Sequence, residues 1–184
     1  MRTNCIITDD FYNNPYDVRE YALSIPFKET GNYPGFRTKS TLNDSTKQGI
    51  QNILYPFAGK VVNWNDRDGL TGSFQVTTQF DKSWVHTDQY NTWAGVCYLT
   101  PDAPLSGGTG LFRYKYTKQF YRDDIDHTGE TQDMDKWDLV DRIGNVFNRL
   151  VFYRSDIFHM SLDYFGTTPS TGRLFQVFFL NTEK

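Results

Sequence analysis

The sequence predicts a mainly β protein with helices laid against one face of its sheets, and three observations carry that expectation. Two amphipathic segments precede residue 60. From residue 61 to 180 the chain breaks into many short β-rich runs separated by turn residues. Aromatic residues make up 17% of the 184, with 15 Phe and 12 Tyr, which fills a pleated core without much Leu or Ala. Helices followed by a series of strands pack as helices on a β-sandwich or jelly roll.

The elements follow in order. Residues 4–8 read as a short strand ending at Asp9-Asp10. Asn13 or Asn14 before Pro15 opens a helix, because an Asn side chain caps its start and proline at the first position loses no hydrogen bond. Val18, Tyr21, Ala22 and Ile25 share one face of it, and Pro26 stops it. Gly31 to Arg37, with Pro34 and Gly35, is a loop. Asn43 or Asp44 caps a second helix whose stripe is Ile50, Ile53, Leu54 and Phe57, ending at Pro56 and Gly59. Strands are then expected at 61–64, 72–80, 84–86, 93–99, 110–116, 149–153 and 173–180, with a turn at 65–69. Between Tyr121 and Asn148 the composition becomes acidic and turn-rich, with a helix expected near 136–141. The whole reads as one domain, 1–184: helical support over 1–60 and a β core over 61–184 with an insert at about 117–148.

Composition narrows the function. A net charge of −3 with scattered basic residues argues against a nucleic-acid surface or a membrane-binding patch. Cys5 and Cys97 have no CxxC spacing and are too few for a secreted disulfide scaffold. No apolar run is long enough for a signal peptide or a membrane span. The expectation is a cytoplasmic protein, phage products made inside a host included.

The chemistry concentrates in Trp84-Val85-His86-Thr87-Asp88. Residues one apart share a face of a strand, so His86 and Asp88 can converge on one point. Of the other two histidines, His127 lies in the acidic insert and reads as solvated. His159 follows a strand and a short turn, where it can be carried back beside the first pair. Two imidazoles and a carboxylate leave three positions of a metal free, the arrangement of non-haem Fe(II) oxygenases. Arg173 opens the last strand, and its fork suits a carboxylate. In that strand Arg173, Phe175, Val177 and Phe179 form one face and Leu174, Gln176, Phe178 and Leu180 the other. Both are largely apolar, so one is expected to pack on the helices and the other to line a cavity.

The order His86-x-Asp88, His159, Arg173 resembles the 2-oxoglutarate-dependent Fe(II) oxygenases, in particular the prolyl-hydroxylase-like branch. Tyr98-Leu99 stands where that branch has a Tyr-Leu pair, and Gly107-Gly108 where it has a Gly-Gly strand opening. The resemblance covers roughly residues 75–180. It implies a double-stranded β-helix (jelly roll, cupin-like) with the N-terminal helices on one sheet. It also implies iron held by His86, Asp88 and His159, and 2-oxoglutarate held by Arg173 and Tyr98. It further implies O2 as the co-reactant and succinate and CO2 as products. Hydroxylation is the implied outcome, since Asp88 keeps a carboxylate where related halogenases have a small residue. One departure is the long segment from Met160 to Gly172, which holds Pro169 and implies an irregular connection.

Substrate-lining positions expected around the motif are Trp84, Tyr90, Asn91, Trp93, Arg113 and Phe179, with Arg37 also on the rim. The insert is either a lid or surface decoration. The substrate expected is a small molecule or a peptide. Two other classes remain open: a non-catalytic jelly-roll binding or structural protein that retains a metal site, and a zinc hydrolase using the same three ligands. The latter leaves Arg173 and Tyr98 without a role.

Overall fold

A computed structural model describes residues 2–65, 71–122, 124 and 126–183. Ten strands and two α-helices are found among them: β1 (Cys5–Thr8), α1 (Pro15–Ser24), β2 (Phe36–Arg37), α2 (Asp44–Ala58), β3 (Val61–Trp64), β4 (Phe74–Thr77), β5 (Trp93–Tyr98), β6 (Thr109–Tyr114), β7 (Trp137–Ile143), β8 (Leu150–Arg154), β9 (Phe158–Ser161) and β10 (Arg173–Thr182). They form two antiparallel sheets. The larger runs β1-β8-β5-β10-β4-β2, with β3 also paired to β10; the smaller runs β7-β6-β9. The chain is thus mostly β with two helices, as the sequence predicts.

The two faces of β10 divide as its alternation predicts. Leu174, Phe178 and Leu180 join Phe74, Trp93, Cys97 and Phe152 beneath Ala22 of α1 and Ile50 and Leu54 of α2. Phe175 and Val177 join Val96, Tyr98, Val151 and Tyr153 on the opposite face, against Leu111, Ile143 and Ile157 from the smaller sheet and its approach. That inner layer is where the two sheets meet and where the site lies. A third cluster of Val85, Phe112, Tyr114, Trp137, Phe158 and Leu162 covers the outside of the smaller sheet.

The helix ends show where local signals suffice. Asn43 caps α2, its side chain accepting from the Thr46 N–H at 2.9 Å, a bond worth about 1 kcal/mol. Gly59, at φ 80°, returns its N–H to the Tyr55 carbonyl and closes the helix. Asn14 precedes Pro15 as expected, but its side chain makes no capping bond. Pro56 does not end α2; it lies inside the last turn, which continues to Ala58. Tyr21 and Phe57, expected on the buried stripes, are 53% and 55% exposed.

Three further expectations are corrected. Residues 137–143 form strand β7, not a helix; only Met134–Lys136 make a single 3-10 turn ahead of it. Residues 84–86 form no strand beyond an isolated bridge at His86. Loop residues Phe36 and Arg37 make a two-residue strand against Val76 and Gln75 of β4. The turn expected at 65–69 lies, after Asn65, outside the described residues, as do residues 123 and 125 of the acidic run.

Candidate metal centre

His86 and His159 meet through a hydrogen-bonded antiparallel pair: the His86 N–H donates to the His159 carbonyl at 3.0 Å and the His159 N–H returns 2.8 Å to the His86 carbonyl. Residues paired this way stand opposite each other on one face. The imidazole centroids are accordingly 4.4 Å apart. Asp88 falls on the same side two residues on. Its N–H donates to the Ser155 carbonyl at 2.8 Å, and the Ser155 hydroxyl is itself tied to the Asn91 carbonyl. The turn before β9 therefore fixes both the second imidazole and the carboxylate. One ligand atom from each of His86, Asp88 and His159 lies within 4.8 Å of the other two, and Asp88 Oδ2 is 3.4 Å from His159 Nε2.

Both rings are oriented by main chain. His86 Nδ1 is 3.0 Å from the Trp84 carbonyl, and His159 Nδ1 is 2.8 Å from the Ile157 carbonyl. A carbonyl only accepts, so each Nδ1 carries its proton and Nε2 is the nitrogen of each ring left to bind a metal. Burial, reinforced by His159, pushes the His86 imidazole down to about 4, so it stays neutral and ligand-ready well into the acid range. Burial works to raise the Asp88 carboxyl, but His159, His86 and Arg37 outweigh it and hold it below its usual value. This donor set fits a divalent transition metal with one face left open.

The open face meets a small cavity of about 70 Å³, walled by Val96, Thr109, Tyr153, Phe175 and Val177 and reaching Arg37 and Gln75. It continues outward into a cleft of about 780 Å³ bordered by Tyr33, Trp84, Tyr90, Asn91 and Phe179. Arg173 does not line the cavity itself; Thr109 does, and its hydroxyl pairs with that of Tyr98 at 2.7 Å. Behind them the Arg173 guanidinium is fully buried, 5.3 Å from the Tyr98 ring and 4.1 Å from that of Phe175. Its Nε donates to the Gly107 carbonyl at 2.9 Å and Nη2 to that of Gly108 at 3.4 Å, while Nη1 has no partner. A buried cationic donor left unpaired is costly, and it marks the place where an anion fits.

The structure thus brings together His86, Asp88, His159 and, one layer deeper, Tyr98 and Arg173. Trp84, Tyr90, Asn91 and Phe179 border the cleft. Trp93 does not: it points to the helical face of β5, with its indole N–H on Thr182 Oγ1. Arg113 is on the outer surface of β6, paired with Asp138 at 2.9 Å. His127 is not solvated but packed between Tyr114, Trp137 and Phe158. No described residue of the insert lines the cavity or the cleft. The insert instead braces the motif from outside, with the Thr131 carbonyl taking the Val85 N–H. Thr109, Tyr153 and Gln75 were not singled out from the sequence. Their only signal is alternation, each falling on an inward position of β6, β8 or β4.

The fold is that of the 2-oxoglutarate oxygenases of the prolyl-hydroxylase-like kind. The chain is similar, over 98% of its length and 84% of the other's, to HygX from Streptomyces hygroscopicus with nickel, 2-oxoglutarate and hygromycin B bound (TM-score 0.65, 10% identity). It is also similar to a prolyl hydroxylase from Trichoplax adhaerens in complex with a hypoxia-inducible-factor peptide (TM-score 0.53, 11% identity, 96% and 83% covered). A Pseudomonas putida prolyl-4-hydroxylase matches at TM-score 0.50 and 11% identity, covering 97% and 92%. Over residues 1–180 the sequence matches DUF6445, a family of unknown function, and the chain belongs to that family. No curated protein matches the sequence. Among the described residues no helix is long and apolar enough to cross a membrane.

Proposed function

We propose that this chain is an Fe(II)- and 2-oxoglutarate-dependent oxygenase that hydroxylates a C–H bond of its substrate, with succinate and CO2 as co-products, on a single double-stranded β-helix domain. The observation that carries the reading is the convergence of the His86, Asp88 and His159 ligand atoms within 4.8 Å, with both Nδ1 atoms already committed to carbonyls. In this reading Nε2 of each imidazole and the Asp88 carboxylate hold Fe(II). Together with 2-oxoglutarate and O2, that ion supplies the oxidising power for C–H hydroxylation. Because Asp88 occupies the third position with its own carboxylate, no place is left there for a halide.

The chain's own residues bind, orient and exclude. Arg173, with Nη1 unpaired and Tyr98 beside it, takes the distal carboxylate of 2-oxoglutarate as a charge-assisted pair. Val96, Phe175 and Val177 give the cavity a dry wall, which strengthens that pair and keeps water from the reacting face. Substrate enters by the outer cleft. HygX with hygromycin B and the Trichoplax enzyme with its peptide show that neighbours of this fold take either a small molecule or a peptide. The zinc hydrolase alternative leaves a fully buried cation without purpose.

The test is succinate formation from 2-oxoglutarate by purified protein, with and without Fe(II). We expect slow release that requires Fe(II) and is lost in His86→Ala and Asp88→Ala. Succinate release that persists in both variants contradicts the proposal.

A further inference from the structure

A second buried guanidinium borders the same centre. Arg37, on edge strand β2, is 6% exposed and lines both the inner cavity and the outer cleft. Its Nε donates to Gln75 Oε1 at 2.7 Å, and Gln75 is held in turn by donating to the Pro34 carbonyl at 2.7 Å. The Tyr33 ring centroid lies 3.8 Å from Arg37 Cζ, close enough for a cation–π contact. Neither terminal nitrogen has a hydrogen-bond or ion-pair partner among the described residues. Glu29, opposite on an isolated bridge, exchanges backbone hydrogen bonds with Arg37 but forms no ion pair with it. Asp88 acts on Arg37 at a distance without pairing, and burial still draws the guanidinium down to about 10. A guanidinium with Nε occupied and its two terminal nitrogens free offers an end-on fork for a carboxylate.

We infer that Arg37 anchors a carboxylate of the substrate, so that the substrate is a small organic acid, such as a free amino acid, and not an internal residue of a peptide. The inference rests on the oxygenase reading, which gives the cosubstrate's distal carboxylate to Arg173. The two arginines keep different company. Arg173 lies behind Thr109, whose hydroxyl pairs with that of Tyr98, whereas Arg37 stands where cavity and cleft join, beside Tyr33 and Phe179. An acid seated on Arg37 has its remaining atoms against His86 and Asp88, which border the same two spaces.

Protein loaded with Ni(II) and 2-oxoglutarate, which does not turn over, is titrated calorimetrically with free amino acids and short hydroxy and keto acids, and with the primary amide of each. At least one acid binds, and its amide binds roughly 30-fold or more weakly, the cost of leaving a buried charge unpaired. Arg37→Gln loses a similar factor for the acid and little for the amide, while its 2-oxoglutarate affinity is kept. Arg37→Lys, which restores the charge, recovers part of the loss. Should Arg37→Gln fail to fold, the acid-against-amide comparison in the unaltered chain still decides. Equal binding of acid and amide overturns the inference, as does a loaded protein that takes up none of the acids. So does an Arg37→Gln variant that loses 2-oxoglutarate. In the first two cases the oxygenase reading survives. A protein that binds Ni(II) but no 2-oxoglutarate removes both.

Discussion

Replacing Arg173 with Met separates a binding group from a structural one. The side chain is fully buried, and its main contact is the Nε bond to the Gly107 carbonyl. That carbonyl keeps a second donor, Asn145 Nδ2 at 3.1 Å, so the substitution does not orphan it. The lost hydrogen bond, from a charged donor, is worth about 1.5–3 kcal/mol. It is offset in part because Met removes a buried charge that has no anionic partner. Melting of the metal-free protein should therefore move by only a few degrees, at roughly 2–4 °C per kcal/mol for a chain of this length. The effect on 2-oxoglutarate is of another size. Truncating one side of a buried charge pair costs about 2–5 kcal/mol, or roughly 30-fold to several-thousand-fold in affinity. Calorimetry with Ni(II)-loaded protein reads the affinity directly. A melting scan adds a check, since ligand at about 100 times its dissociation constant stabilises by about 2.7 kcal/mol and the variant should lose that shift. An Arg173→Met protein that melts normally, binds Ni(II) and still takes up 2-oxoglutarate within a few-fold of the unaltered chain would falsify the assignment.

Other consequences are independent of the cosubstrate. In metal-free protein His86 is held at about 4, whereas the unfolded chain protonates near its ordinary value of about 6.5. The unfolded state therefore binds more protons between those values. Stability is unaffected above about 6.5 and falls by up to about 3 kcal/mol as pH drops to about 4. Asp88, held low, keeps its contribution throughout that window and loses it only at lower pH, as its carboxyl protonates. Urea midpoints across this range should fall for the unaltered chain and flatten in His86→Gln; equal slopes contradict the account. His127→Ala should cost about 3 kcal/mol, because the ring packs among Tyr114, Trp137 and Phe158, yet leave metal uptake intact. Loss of metal from that variant would show His127 to be part of the site. Gly108→Ala should destabilise by about 3 kcal/mol or more, since the added carbon would lie 1.8 Å from the Ile143 carbonyl oxygen. Gly144→Ala, whose nearest atom is Leu105 Cδ2 at 3.5 Å, should melt close to normal.

The parts of this molecule legible in the sequence are those set by period and by local chemistry. The alternation in β10 tells its helical face from its cavity face because both sides are buried and a one-residue slip would exchange them. The spacing of His86 and Asp88 tells that they converge. Other parts depend on what lies across from a residue. Strand β7 carries Asp138, Asp141 and Arg142 and buries only its two ends, Trp137 and Ile143, so the alternation that marks a strand is missing at this sheet edge. His127 looks solvated because its sequence neighbours are polar; its cage comes from β6, β7 and β9. Trp93 and Arg113 lie close to the motif or its strands, but each points to the face away from the cavity, and nearness in sequence does not reveal facing. Arg37 sits in a stretch that reads as loop, and only its two-residue pairing with β4 aims it at the centre.

The most direct measurement is an anaerobic titration of metal-free protein with Fe(II) in the presence of 2-oxoglutarate, followed by its absorbance and by metal analysis. One ferrous ion per chain should bind, with 2-oxoglutarate uptake that depends on it, and His86→Ala, Asp88→Ala and His159→Ala should each abolish both. Iron bound equally well by all three variants, or 2-oxoglutarate bound with no need for the metal, would contradict the account.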